Sequence, residues 1–153
     1  MLISITPYNI AYKTAFYEMN VEWLDTYFYV EDYDREVLQT PEKYILSKGG
    51  HIFFAVHNNA PIGTVALMPY EDRVFELTKM AVLPKERGKQ IGQKLMQHCI
   101  TFCKEAQYKA LVLYSNRVLE NAIYIYYKYG FKEIPMETNA PYARGDIKMW
   151  LDL

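Results

Sequence analysis

The apolar pattern of the chain predicts an α/β protein, a mixed and mostly antiparallel sheet with flanking helices in the order βααβββαβαββ. Two observations lead there. Between His51 and Leu83, three runs rich in Ile, Phe and Val are joined by short polar turns, which implies antiparallel neighbours. On either side the apolar residues recur every three or four positions, as in helices packed on a sheet. The 153 residues suit one domain, 1–153, and 51% apolar with 23% charged residues leave little room for disorder.

Leu2 to Thr6 reads as a strand closed by Pro7, and Tyr8 to Phe28 as a helix through Ala11, Ala15, Met19, Trp23 and Tyr27. Glu31, Asp32, Asp34 and Arg35 read as a polar break. Thr40-Pro41 places an N-cap before a proline at the first helical position, and Gly49-Gly50 ends that helix after Lys48. His51–His57, Pro61–Pro69 and Val74–Leu83 are the three meander strands. A long helix from Arg87 to about Ala106 follows, then Ala110–Tyr114, compact and apolar enough to be a central strand. Val118–Tyr129 is a helix stopped by Gly130, and Phe131–Ile134 and Ile147–Leu153 are the closing strands.

A net charge of −1 offers no global basic field to nucleic acid or to an anionic membrane. The 15 tyrosines fit packing in most cases, with some left to line a cleft. Cys99 and Cys103 lie four apart on one helical side, too distant for an ordinary disulfide and without further ligands for a metal. Buried thiols in a reducing cytosol are expected. The start of the chain lacks a signal-peptide pattern, and no apolar run has the length of a membrane span, so a cytoplasmic protein is expected.

The informative segment is Val82 to Leu95. A strand ends, a glycine-bearing turn follows and an amphipathic helix begins, so that free amides and the helix dipole together suit a phosphate. Between Lys85 and Lys94, four cations (Lys85, Arg87, Lys89, Lys94) stand against Glu86, a local +3. A Walker loop is ruled out because no Ser or Thr follows a GxxxxGK pattern, and a dinucleotide fingerprint because the preceding strands form a meander.

Pro84 followed by Arg87-Gly88-Lys89-Gln90-Ile91-Gly92 resembles the central motif of the GNAT superfamily of N-acetyltransferases, and Asn121 to Phe131, ending Tyr-x-x-x-Gly-Phe, resembles its second motif. The resemblance spans nearly the whole chain and implies a GNAT-like fold with acetyl-CoA as cosubstrate. It implies that the amides of Arg87, Gly88, Lys89, Gln90, Ile91, Gly92 and Gln93 hold the pyrophosphate. Met80, Ala81 and Val82 would pair with the pantetheine arm like a strand edge, one N–H polarising the thioester. Gln90 stands where the first motif glycine usually lies. Leu119 replaces the motif's asparagine, so Asn116 or Asn121 is expected to supply the pantetheine contact.

The same resemblance implies Tyr126 as the acid that protonates the departing thiolate. It also implies Glu76 as the base, six residues before Val82 and expected on the same strand face. Trp23, Tyr27, Glu31 and Asp32 would line a cleft for a cationic amine, closed by Tyr142 and Arg144. The expected partner is a small-molecule or peptide amine, with no nucleic acid, membrane or metal, and a homodimer is left open. An acetyl-CoA-binding regulatory module and a phosphate-binding interaction domain are the competing readings.

Overall fold

The computed structural model describes residues 2–140 and 143–153. Strands β2 (His51–His57), β3 (Ala60–Glu71) and β4 (Val74–Val82) form the antiparallel meander. Asn58 and Asn59, at φ 52° and 60°, make its first turn in the left-handed conformation that a two-residue hairpin needs and asparagine tolerates. β1 (Ser4–Pro7) is antiparallel to β2, and β5 (Ala110–Ser115) runs parallel to β4. β7 (Ile147–Asp152) and β6 (Lys132–Ile134) follow, giving one seven-stranded sheet in the order β1-β2-β3-β4-β5-β7-β6.

Helices cover both faces. On one, α4 (Ile91–Glu105) buries Ile91, Leu95, Met96, Cys99, Ile100 and Cys103 against Phe53, Val65, Leu67 and Leu111. α5 (Glu120–Lys128) adds Ile123 and Ile125 to that cluster. Gly63 lets α4 sit close, because a Cβ there would meet Ile91 at 3.1 Å and Leu95 at 3.2 Å. Both cysteines are free and buried, and burial pushes the Cys103 thiol up to about 12. On the other face lie α1 (Lys13–Tyr27), α2 (Asp32–Gln39) and the short α3 (Pro41–Tyr44). Phe16, Met19, Leu24, Val37 and Leu38 there pack on Ile52, Phe54 and Ala66.

Two local expectations change. The acidic stretch after α1 is the start of α2 rather than a break, giving βαααβββαβαββ. Glu31 caps the helix, and Asp34 reaches back to the Glu31 N–H at 2.9 Å, a capping box that satisfies two orphan amides. α4 begins at Ile91 instead of Arg87, because Gly88 and Gln90 are left-handed at φ 82° and 64° and cannot be helical.

β4 carries a bulge with consequences for the site. Thr64 faces Ala81 and Ala66 faces Thr78, so two steps along β3 match three along β4, with Lys79 at φ 57° as the extra residue. The side-chain alternation therefore flips. Phe75 and Leu77 face the α4 side before the bulge, and Met80 and Val82 do so after it, whereas Ala81 joins the α1 cluster. Glu76 and Val82 are consequently on opposite faces, which corrects the expectation that they share one.

Candidate active site

The parallel pairing of β4 with β5 covers only Val74–Ala110, Phe75–Leu111 and Glu76–Val112. Beyond it the strands separate. The wedge between them is a cavity of about 670 Å³, with Leu77 to Val82 on one wall and Leu113 to Asn116 on the other. Trp23, Tyr27, Phe28, Asp34 and Arg144 close it on the α1 side, and Tyr126 on the α5 side. A second hollow of about 360 Å³ adjoins it at the start of α4, lined by Gly88, Gln90, Ile91, Gly92, Gln93 and Lys128. The two share Val82, Arg87, Gly92 and Asn121, so one cleft runs from the α4 N-terminus through the strand split to α1.

At the α4 end, no side chain caps the helix at Gln90 and its first turn holds no acidic residue. The first amides of a helix have no partner within it, and the dipole adds partial positive charge there. Gly88 tolerates its φ of 82° because it lacks a Cβ; Gln90 holds φ 64° with a side chain and keeps its N–H. Lys89 is tied to the buried Glu86 at 3.0 Å. Arg87 does not stand free: its Nε donates to the Val82 carbonyl at 3.1 Å, its guanidinium pairs with Glu22 and it lies 5.6 Å over the Tyr27 ring. It fastens the turn to α1.

Tyr126 is set by the end of its helix. Gly130, at φ 102°, terminates α5 in a Schellman motif: the Phe131 N–H donates to the Tyr126 carbonyl at 3.0 Å and the Gly130 N–H to Tyr127 at 3.0 Å. The Phe131 ring packs edge-on to Tyr126, centroids 5.9 Å apart. The Tyr-x-x-x-Gly-Phe signature thus has a physical reading, with the first and last residues of the motif in contact. Burial raises the Tyr126 phenol, and the Ser115 hydroxyl partly offsets this. The phenol keeps its proton at neutral pH.

Asn116 and Asn121 both reach the cleft, but Asn116 is engaged. Its amide donates to the Arg144 carbonyl at 2.6 Å and its oxygen accepts from the Val118 N–H at 2.9 Å. Asn121 is exposed at the junction of the two hollows.

On the α1 side, Trp23 packs at a tilt against Tyr27 and Phe28, with centroids 5.2 and 5.8 Å away. Arg144 grips the fully buried Asp34 with both nitrogens, at 2.9 and 3.0 Å, and Glu31 at 2.8 Å. Glu31 and Arg144, expected as separate walls, are therefore bonded to each other. Two carboxylates thus share one guanidinium at this end of the cleft. Tyr142 lies outside the described residues. Asp34→Asn, which keeps the cap acceptor but breaks the bidentate pair, is expected to lower unfolding stability by about 2 kcal/mol in urea titration.

Glu76 stands one residue short of the cavity wall, opposite Val112. Burial is the main cause of its raised pKa, with Glu137 adding to it and Lys79, Thr78 and Lys148 opposing. Glu76 bonds the side chain of Thr78, which lines the cavity, and Glu137 accepts from Tyr114 Oη and, at 2.7 Å, from Lys148 Nζ. Tyr114 and Ser115 were legible in principle, since ligands of α/β sheets sit at the carboxyl ends of parallel strands. Glu137, in the loop after β6, carries no local signal. Among the described residues no cluster of three metal-ligating side chains occurs, and no helix is long and apolar enough to cross a membrane.

The sequence profile of the acetyltransferase (GNAT) family matches residues 16–131. N-acetyltransferase 8 of Rattus norvegicus is 24% identical over 115 residues, which is 72% of this chain and 49% of that protein. The chain spans about half the length of the curated relatives it matches. A GNAT family acetyltransferase from Staphylococcus aureus Mu50 superimposes with a TM-score of 0.87 at 25% identity over 99% of both chains. The PaiA N-acetyltransferase of Thermoplasma acidophilum, solved in complex with coenzyme A, has the same fold, with a TM-score of 0.78 at 20% identity over 100% of both chains. The profile match, the split parallel pair and the uncapped α4 start agree: the chain belongs to the GNAT family of acetyltransferases.

Proposed function

We propose that this chain transfers the acetyl group of acetyl-CoA to a primary amine of a small molecule or peptide. The observation that carries the reading is the split between β4 and β5, open at one end to the uncapped amides of α4 and at the other to the α1 cleft. An extended thioester of the length of acetyl-CoA suits such a passage. Its pyrophosphate rests on the amides from Gly88 to Gln93, where the local charge is positive. Its pantetheine arm lies along Met80, Ala81 and Val82, where β4 has parted from β5, and meets Asn121, since the Asn116 amide is already bonded.

At the far end of the arm, Tyr126 is the acid for the departing sulfur. A raised phenol pKa keeps the group protonated until it is needed. The acceptor enters from the α1 side, past Trp23 and Tyr27. The faces of these rings favour a cationic amine. Arg87 and Glu22 hold Tyr27 in that wall.

Isothermal calorimetry with acetyl-CoA, followed by coenzyme A release across a panel of amines, polyamines and peptide N-termini, tests this. Expected are one acetyl-CoA site per chain and turnover with at least one cationic amine. Binding without turnover on any acceptor would point to a regulatory module; loss of the signal to ATP competition would point to a general phosphate site.

A further inference from the structure

We propose that Tyr114, backed by Glu137, takes the proton from the acceptor amine, and that Lys148 and Tyr70 hold this pair in position. The inference rests on the acetyl-transfer reading above.

Tyr114 lies on the cavity wall, and its hydroxyl donates to Glu137. The other oxygen of Glu137 accepts from Lys148 Nζ at 2.7 Å, and Lys148 also donates to Tyr70 Oη. Lys148 is nearly inaccessible, with 7% of its side chain exposed. Burying an ammonium is unfavourable unless it is paired, and a paired buried lysine is often no more stabilising than an apolar residue of the same size. The fold nevertheless places a buried cation under a loop carboxylate that also accepts from a cleft-lining phenol.

The position on β5 assigns the task. Successive residues of a strand point to opposite faces. Tyr114 therefore turns to the side of the sheet carrying α1 and the amine cleft, and Ser115 to the side of α5, where its hydroxyl meets Tyr126. One strand end thus sets a proton acceptor and a proton donor on either side of the split that the thioester would occupy. Glu76 lies on the same face as Tyr114, bonded to Thr78 and one residue outside the cavity lining.

The step balances as follows. The free amine adds to the carbonyl carbon, the C–N bond forms and the nitrogen becomes cationic. Its proton moves to Tyr114 Oη as the phenol proton moves to Glu137 Oε1. The C–S bond breaks with its electron pair on sulfur, which takes the Tyr126 proton; water later restores that proton. Glu137 returns its own proton to solvent, to which a third of its side chain is open (33%). The paired lysine, then Tyr114, hold its carboxyl below the usual range, so it does not retain the proton. Burial, then Glu137 and Tyr70, push the Tyr114 phenol upward, so a free phenolate is avoided and transfer through it is concerted. The ionisable groups gathered about it are Tyr70 from β3, Glu76 from β4, Glu137 from the loop and Lys148 from β7.

Tyr114→Phe and Glu137→Gln, assayed in the full chain with the best acceptor of the panel, test the relay. Each is expected to lower kcat by about 10²-fold with acetyl-CoA affinity unchanged. The residual rate should rise linearly with imidazole buffer concentration at fixed pH, which the wild type should not show. A structural role alone would lower stability or raise KM without creating that buffer dependence. Glu137→Gln is isosteric and part-exposed, so it carries the test even if Tyr114→Phe folds poorly. Wild-type kcat in either variant, or a lowered kcat indifferent to buffer, overturns the relay. A wild-type protein that binds acetyl-CoA yet acetylates no amine overturns the parent reading first, and the relay with it.

Discussion

Gly92→Asp is expected to weaken acetyl-CoA binding by about 10²-fold while leaving the fold intact or slightly more stable. Gly92 is the second residue of α4, and a Cβ there would meet only Met80 Sδ, at an ordinary 3.4 Å. A carboxylate in the first turn of a helix interacts favourably with the dipole by about 0.3–1 kcal/mol, and any residue but proline improves on glycine within a helix. The same carboxylate would stand roughly 5 Å from a bound pyrophosphate. At an effective dielectric constant near 20, one like-charge pair at that distance is unfavourable by about 3 kcal/mol, or roughly 10²-fold in Kd. Stability and affinity should therefore move in opposite directions. Calorimetry and thermal melts on one preparation read both, and an unchanged Kd would move the phosphate site elsewhere. Gly92→Ala, without the charge, should bind nearly as the wild type does.

Tyr126→Phe is expected to lower kcat by about 10²-fold with acetyl-CoA affinity nearly unchanged. The substitution keeps the ring that packs on Phe131 and the Schellman bonds around Gly130, so α5 should remain in place. Only the hydroxyl is lost. Because burial raises the phenol above its ordinary value of about 10, the wild-type acid stays protonated through neutral pH. The kcat of the wild type should then show no descending limb from this group between about pH 6 and 9. Full kcat in the variant on a good acceptor would make Tyr126 a packing residue. Acetyl-thioesters with a more acidic thiol should narrow the gap between the two proteins, since a better leaving group needs less help.

The elements that the sequence made legible are those written in contiguous residues. The Asn58-Asn59 turn, the proline that opens α3, the glycine that ends α5 and the apolar period of α4 each act over one or two turns of chain. The Glu31–Asp34 capping box was equally local. Its four charged residues read as a break because cap chemistry and solvated loops share a composition, and the apolar Val37 and Leu38 that complete the helix come only afterwards.

The sequence by itself determined the α/β class, the meander, the long helix behind a glycine turn and the C-terminal motif that sets Tyr126, because periodicity and capping are short-range effects. Tertiary structure alone decided the rest. The bulge at Lys79 arises from pairing against β3, and by flipping the alternation it separates Glu76 from Val82. Whether Arg87 is free or bound depends on Glu22, 65 residues away in sequence, and the partner of Asp34 is Arg144, 110 residues away. Tyr70, Tyr114, Glu137 and Lys148 come from four separate segments, and no pattern within any one of them announces the others. Such contacts form only when the chain has bent back on itself, so their information lies in which surfaces meet rather than in the order of residues.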